Sequence, residues 1–444
     1  MAARCPGIQF AVVDSDAGRI AAWNSDKLPI YEPGLEELVR SQRGQNLSFS
    51  TDVDAAVRGA DLVMLAVNTP LGQHGQGLGG ATDLRCVEEC ARAVARAARR
   101  STIVVEKSTV PCRTGALIAK ILQQHGRPGV EFHVLSNPEF LSEGTAVRDL
   151  LQPDRVIIGG QADSDDAQRA LCSLYARWVP EERIVTMGLW SAELTKLASN
   201  ALLAQRVSSI NSISAVCEAV GADIADVSRG CGMDSRIGGQ FLRASIGFGG
   251  SCFYKDIMGL VWLSESLGLH EVAEYWDQVL RMNDSQTARF VRRATQAMGG
   301  DLDGAQVAVL GFAYKAGTGD TRCTPAARVC EQLLARGARL AIYDPKVPER
   351  QIRDCLAPHE AARCSSDRRL RICSDAYKAA SGARAVLVLT PWAEFGCLDW
   401  ARIHGLMAQP AYAVDGHRVL DGLALEQLGF RTVSIGARSE YADC

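Results

Sequence analysis

Short runs rich in valine and isoleucine, each followed by helical periodicity, recur through the first third of the chain and constrain its fold more than any other feature. The runs are 8–14, 61–67, 102–106, 132–136 and 155–160. Nearly continuous apolar runs of this length suit strands buried on both faces of a parallel sheet. Between them, 35–40, 84–98 and 113–125 carry helical spacing. The alternation predicts a doubly wound α/β domain, whose ligands sit at the carboxyl ends of the strands. From 191 to about 298 the strand signal lapses. Ser191 is placed to cap a long helix over 192–220, suited to joining domains or forming a subunit interface. Helices are also expected over 256–267 and 270–297, with two shorter ones broken at Gly230-Cys231-Gly232 and Gly238-Gly239. A second α/β block starts near Gln306, with strands over 306–310, 339–343, 385–389, 412–415 and 431–435 and a helix over 326–336. The Arg-rich stretch 361–370 reads as an exposed loop.

Bulk properties narrow the class. At 444 residues the chain exceeds one compact core. A formal net charge of -3 gives no general attraction to nucleic acid or anionic membrane. The basic runs Arg96 to Arg100 and Arg368 to Arg371 are short and lack aromatic neighbours. No stretch reaches the ~18 apolar residues of a membrane span, and the first residues lack the apolar core of a signal peptide. The fifteen cysteines are scattered, without a C-x-x-C pair, and fit a reduced, cytoplasmic protein. Cys86 and Cys90 share a helix face, but no histidine or second pair joins them, so no metal site is expected.

The densest chemistry lies in Gly247-Phe248-Gly249-Gly250-Ser251-Cys252-Phe253-Tyr254-Lys255-Asp256. A thiol near a helix start and a lysine is placed to act as a thiolate nucleophile. Asn68-Thr69-Pro70, 106–111 and 136–139 each follow an expected strand and bring polar groups to one sheet edge. Turn and cap chemistry alone would also account for any one of them. Lys196 and Asn200 lie four apart on one helix face, where Lys196 suits a developing alkoxide or, equally, a solvated surface. Asp14 ends a strand, as does the acid that holds an adenosine ribose and favours NAD over NADP, or one that merely caps a turn. No G-x-G-x-x-G follows a strand in the N-terminal block, and 72–80 lacks the spacing. The segment 311–322, with Lys315 and Arg322, suits an anion but is not a Walker A loop. Asp415-Gly416-His417-Arg418 offers a further guanidinium. On these residues alone a non-redox thiol hydrolase stays open.

Leu28-Pro29-Ile30-Tyr31-Glu32-Pro33-Gly34-Leu35, Glu106-Lys107-Ser108-Thr109-Val110-Pro111, Asn137-Pro138-Glu139-Phe140-Leu141-Ser142-Glu143-Gly144, 247–256 and 311–322, in this order, resemble the UDP-glucose/GDP-mannose dehydrogenase family, most closely its animal members. The resemblance runs from about Pro6 to Gly436. It implies two Rossmann-like α/β domains, 1–189 for NAD and 300–444 for a UDP-sugar, joined by a helical dimerisation domain, 190–299. It implies a four-electron oxidation of UDP-glucose to UDP-glucuronate with two NAD in succession, Cys252 carrying a thiohemiacetal and then a thioester. Thr109, Glu139, Lys196, Asn200 and Asp256 match the polar residues around the hexose and the attacking water. Lys196 would stabilise the oxyanion, while Glu139 and Asp256 would handle protons. Phe248, Gly249, Gly250, Lys315 and Arg418 match substrate-holding positions, and Arg236 would reach a neighbouring subunit's site. Asp14, Arg19, Thr109, Glu143, Lys255 and Arg322 match cofactor-binding positions. Dimers assembling to a hexamer are implied.

Two departures stand out. His417 takes the place of an arginine. The chain begins just before the expected second strand, so the first domain is expected to be N-terminally truncated, without the glycine loop that holds the pyrophosphate. A second expectation follows, of a catalytically impaired UDP-sugar-binding subunit that associates with full-length chains.

Overall fold

A computed structural model describes residues 1–72, 82–161, 164–360 and 369–441. The chain divides into two compact units, the first of Met1–Ser199 with Met258–Ala273, the second of Asn200–Ile257 with Glu274–Cys444. The helical middle expected from sequence is therefore shared between them.

In the first unit, β1 (Phe10–Val13) and β2 (Leu47–Ser50) form a two-stranded parallel sheet. A five-stranded sheet follows in the order β3 (Leu62–Leu65), β4 (Thr102–Glu106), β5 (Phe132–Ser136), β6 (Val156–Gly160), β7 (Ile184–Gly188). Strands β3, β4 and β5 are parallel neighbours, whereas β6 meets β5 antiparallel through the single pair Ser136 and Gly159. Alternation explains the near-continuous apolar runs. Val104 and Val134 face a core with Ile118, Leu122 and Val94 from helices Thr114–His125 and Arg85–Ala97, while Val105 and Leu135 face Leu171 and Tyr175 on the other side. Strands β2 and β7 escaped the sequence reading because Leu-Ser-Phe-Ser and Ile-Val-Thr-Met-Gly are short and partly polar.

Among the described residues no strand hydrogen-bonds to both sheets. Strand β1, apolar enough to read as buried, accordingly leaves its two middle residues exposed, Val12 at 42%. The segment before β1 is tied down by Asn46, whose side-chain amide donates to the carbonyls of Ala2, Cys5 and Ile8, each at 3.1 Å.

The second unit carries a fully parallel six-stranded sheet, ordered β10 (Leu370–Ile372), β9 (Arg339–Tyr343), β8 (Gln306–Leu310), β11 (Ala385–Val388), β12 (Tyr412–Asp415), β13 (Arg431–Ser434). This is the doubly wound order, with its switch point between β8 and β11. Leu370 opens a strand instead of closing the loop expected over 361–370; residues 361–368 lie outside the described residues, as do 73–81 of the glycine-rich stretch.

Three helical expectations change. The long helix is Leu189–Val220 and starts directly after β7, so Ser191 lies within its first turn and is not its cap. One described helix, Ile224–Gly232, occupies the stretch expected to hold two. Gly230-Cys231-Gly232 form its last turn, and Asp223 caps its start by accepting from the Ala225 amide at 2.7 Å. The helix expected from Asp256 begins three residues earlier, as Phe253–Ser266, and His270–Ala297 follows. No described helix is long and apolar enough to cross a membrane.

Candidate active site

In the first unit the loops after β3, β4 and β5 leave the same edge of the sheet and lock onto one another. Ser108 Oγ accepts from the Val67 amide at 2.8 Å and donates to the Val67 carbonyl at 2.7 Å. Thr69 donates to the Thr109 carbonyl at 2.7 Å, and the Asn137 amide donates to the Glu106 carbonyl at 2.8 Å. Asn137 is itself fixed, donating to the Ile157 carbonyl and accepting from the Tyr175 hydroxyl, both at 2.7 Å. Much of the polar chemistry at this edge therefore shapes the loops, as turn chemistry alone would. Glu32, in the Leu28–Leu35 motif, accepts from the amides of Gly144 and Ala146 at 2.8 and 2.7 Å and braces the stretch holding half-buried Glu143.

Two expected site residues meet here. Lys196 is 4% exposed, and its ammonium lies 3.3 Å from Glu139 Oε1 and over the Phe140 ring. The solvated reading of Lys196 is excluded by this burial. Glu139 Oε2 accepts from the Leu141 amide at 2.6 Å. Lys107, which sequence reasoning passed over, donates to the Asn137 carbonyl at 2.9 Å; burial pulls its pKa down to about 8, with Glu139 opposing and Lys196 adding to the shift.

Beneath this edge lies a buried carboxyl pair that the sequence did not announce. Glu193 accepts from the amides of Arg113 and Gly115, both at 2.6 Å, at the start of helix Thr114–His125. Glu106, 1% exposed, is pushed well above the ordinary carboxyl range by burial and by the Glu193 charge. The amides favour the charge on Glu193, so Glu106 holds the proton. A carboxyl with a raised folded pKa keeps its proton where the unfolded chain has lost it, so stability falls as pH rises above about 4.5. Glu106→Gln is therefore expected to gain stability relative to the natural chain by up to about 1.4 kcal/mol per pH unit within that window. Denaturant melts of both chains at pH 5, 6 and 7 measure the difference; a constant gap would contradict a proton held on Glu106.

The second unit holds the thiol. Cys252 is exposed and immediately precedes helix Phe253–Ser266, its carbonyl accepting from the Asp256 amide at 2.9 Å. That places its sulfur at the positive end of the helix. The Asp256 carboxylate, 2% exposed, accepts from the Asn200 side chain at 2.6 Å and lies 3.4 Å from Lys255 Nζ. The preceding loop is clamped by helix His270–Ala297: Asn283 accepts from the Phe248 amide at 2.8 Å and donates to its carbonyl at 3.1 Å, and Thr287 donates to the Ile246 carbonyl at 2.8 Å. An asparagine is a poor helix-interior residue, and that misfit was the one available sequence signal for Asn283.

Segment 311–322 leaves β8 at the switch point. The Gly250 amide donates to the Arg322 carbonyl at 2.9 Å, so the thiol loop and this segment touch directly. A side chain at Gly250 would strike the Tyr314 ring, and one at Gly249 the Cys323 carbonyl at 2.6 Å. Lys315 lies over the Tyr314 ring, and Arg322 forks onto Asp320. Arg418 reaches Asp223 at 2.7 Å and the Ile435 carbonyl at 3.2 Å. His417 sits 3.0 Å from the Leu389 carbonyl through Nε2, and burial lowers its pKa to about 4, so it brings no charge at neutral pH. Arg236 pairs with Asp234 and is 87% exposed at its side chain.

Residues suited to the adenosine half of NAD are present. Asp14 directly follows β1, and Arg19 Nη1 lies 2.5 Å from its Oδ2. The Asp16 amide, with help from Arg19, holds the Asp14 carboxyl below its usual range. An ionised acid at that strand end suits a ribose diol and repels a 2'-phosphate.

Two α/β domains with a helical middle, and an exposed thiol at a helix start, are the frame of a nucleotide-dependent dehydrogenase. Family models for the NAD-binding, central and UDP-binding domains of UDP-glucose/GDP-mannose dehydrogenases match residues 1–179, 190–285 and 308–422. The chain is 52% identical to UDP-glucose 6-dehydrogenase 1 of Oryza sativa subsp. japonica, over 98% of this chain and 93% of that one. It is 51% identical to the UDP-glucose 6-dehydrogenase of Gallus gallus, over 99% and 90%. A UDP-glucose dehydrogenase structure from Pyrobaculum islandicum superposes with a TM-score of 0.85 at 32% identity, covering 98% of this chain and 94% of that one. The chain belongs to the UDP-glucose/GDP-mannose dehydrogenase family, NAD-dependent enzymes that oxidise nucleotide sugars through a cysteine. Plant relatives are as near as animal ones, so the specifically animal affinity expected from sequence does not hold.

Proposed function

We propose that this chain oxidises UDP-glucose to UDP-glucuronate, and that Cys252 carries the hexose between the two oxidations. The observation behind this reading is the exposed thiol at a helix start, next to the buried Asn200–Asp256 pair and the 311–322 segment. The Cys252 thiolate adds to the C6 aldehyde to give a thiohemiacetal, whose oxidation leaves a thioester. Water then adds to the thioester carbon and the thiolate leaves. Asp256, oriented by Asn200, takes the proton of that water, and Glu139 serves the alcohol proton of the first step. Lys196 stabilises oxygen as it becomes negative, work in which one such donor is worth about 10²–10³-fold. NAD, bound twice in succession, supplies the electron acceptor for both oxidations. Asp14 and Arg19 hold its adenosine, with Thr109, Glu143, Lys255 and Arg322 assigned to the rest. Phe248, Gly249, Gly250, Lys315 and Arg418 hold the UDP-sugar, and Arg236 acts in a neighbouring subunit.

Names borne by the relatives support glucose as the sugar, and the apolar faces of the central helices support self-association: Leu202, Val216 and Val220 of helix Leu189–Val220 are all more than half exposed. The domains proposed are 1–189, 190–299 and 300–444, the assembly a dimer-based hexamer, and the compartment cytoplasmic.

The test is turnover of the purified chain with NAD and UDP-glucose, GDP-mannose or UDP-N-acetylmannosamine. Two NADH per UDP-glucuronate, with the other sugars at least tenfold poorer in kcat/KM, is the expected result. Asp14→Asn is expected to raise the KM for NAD about 10- to 100-fold, from loss of one charged hydrogen bond of ~1.5–3 kcal/mol, with little change in UDP-glucose affinity by calorimetry. UDP-glucose affinity without turnover would favour the binding-subunit reading instead.

A further inference from the structure

We propose that the second unit carries an anion site separate from the sugar-nucleotide residues, in a recess of about 330 Å³ that binds a compact polyphosphate of two or more phosphoryl groups. The recess lies where helices Leu189–Val220 and His270–Ala297 end. Arg289, Arg292, Arg293 and Gln296 line it from one helix, Ala215, Glu218 and Ala219 from the other, and Arg438 from the segment after β13.

Four guanidinium groups face a single carboxylate. Glu218, 7% exposed, is bridged by Arg289 and by Arg293, the latter at 2.7 Å, and also accepts from the Gly436 amide at 2.7 Å. Its one charge is thus spent on two cations. Arg289 is further fixed by Ser214 Oγ at 2.7 Å and Gln286 Oε1 at 2.5 Å, and Arg293 by the carbonyls of Ser434 and Ala437 at 3.0 and 2.8 Å. Arg292 and Arg438 are exposed and have no carboxylate partner among the described residues.

Arginines three and four apart on one helix repel each other. The negative ends of two helix dipoles offset part of that repulsion, which accounts for a cation in the last turns but not for four around one cavity. Small side chains at Ala215 and Ala219 keep the floor open. The volume falls at the lower end of small-molecule sites, ~300–1,000 Å³. A forked array of guanidinium groups matches phosphoryl oxygens two at a time, which a carboxylate or chloride cannot use fully. Pre-fixed Arg289 and Arg293 form the base, and the exposed Arg292 and Arg438 close over the ligand. Because Arg293 also holds the carbonyls of Ser434 and Ala437, binding stiffens residues 434–437.

Calorimetry of the full chain with inorganic pyrophosphate, at about 0.15 M salt and with saturating UDP-glucose to occupy the sugar-nucleotide residues, tests this. The expected result is one pyrophosphate site per chain, at least tenfold tighter than for orthophosphate and weakened at least tenfold in Arg292→Ala and in Arg438→Ala. Both variants keep the UDP-glucose affinity of the natural chain. No pyrophosphate binding under saturating UDP-glucose would overturn the proposal, as would binding that neither substitution alters or that orthophosphate matches.

Discussion

Cys252→Ser is expected to lower kcat by about four orders of magnitude or more while leaving the fold and the UDP-glucose affinity unchanged. The scale is that of losing a nucleophile that works as a unit with its neighbours. Serine fits because Cys252 is exposed, its carbonyl keeps its bond to the first turn of helix Phe253–Ser266, and a hydroxyl can still meet Ser251 Oγ. The hydroxyl does not ionise near neutral pH, so neither thiohemiacetal nor thioester can form. NADH release and UDP-glucuronate formation, followed separately, check the result. Sustained UDP-glucuronate production by the serine variant would sink the covalent route.

Gly311→Ala should cost the second unit about 2–5 kcal/mol. Gly311 has φ +92°, where an L residue is strained by about 1–2 kcal/mol. An added Cβ would also stand 2.4 Å from Thr390 Cβ and 2.7 Å from its amide nitrogen. Overpacking of that kind adds about 1–3 kcal/mol. Thr390 donates to the Ala313 carbonyl at 2.6 Å, so moving it aside also loosens the loop that carries Lys315. Urea titrations read the stability loss, and UDP-glucose calorimetry should show weaker binding in the same variant. A loss under 1 kcal/mol would mean that the β8 and β11 ends yield far more readily than their packing suggests.

The strands most legible in the sequence were those buried on both faces, such as β4, β8, β11 and β12, because burial leaves a continuous apolar run. Strands β2 and β7 have no fully buried residue and left no such run. Glycine-marked loops were legible for the same kind of reason: Gly250 and Gly311 stand where no side chain fits. The Glu106–Glu193 pair and Asn283 were not. Their meaning depends on partners distant in sequence, Glu193 lying 80 residues from the Arg113 amide it accepts and Asn283 lying 35 from Phe248. Lys196 is intermediate. Its spacing from Asn200 was visible, but its burial beside Glu139 and Phe140 was not.

The two-stranded sheet of β1 and β2 bears on how tightly a dinucleotide would be held. A lone pair of strands is marginal by itself, and this one rests on the Asn46 bonds and the stacked rings of Trp23 and Phe49. Its amides should exchange with solvent hydrogen through local opening long before those of β4 and β5. A ligand gripping Asp14 must then suppress that opening as it binds, so part of its interaction energy goes into ordering the protein. Exchange protection at β1 becomes a direct gauge of cofactor occupancy.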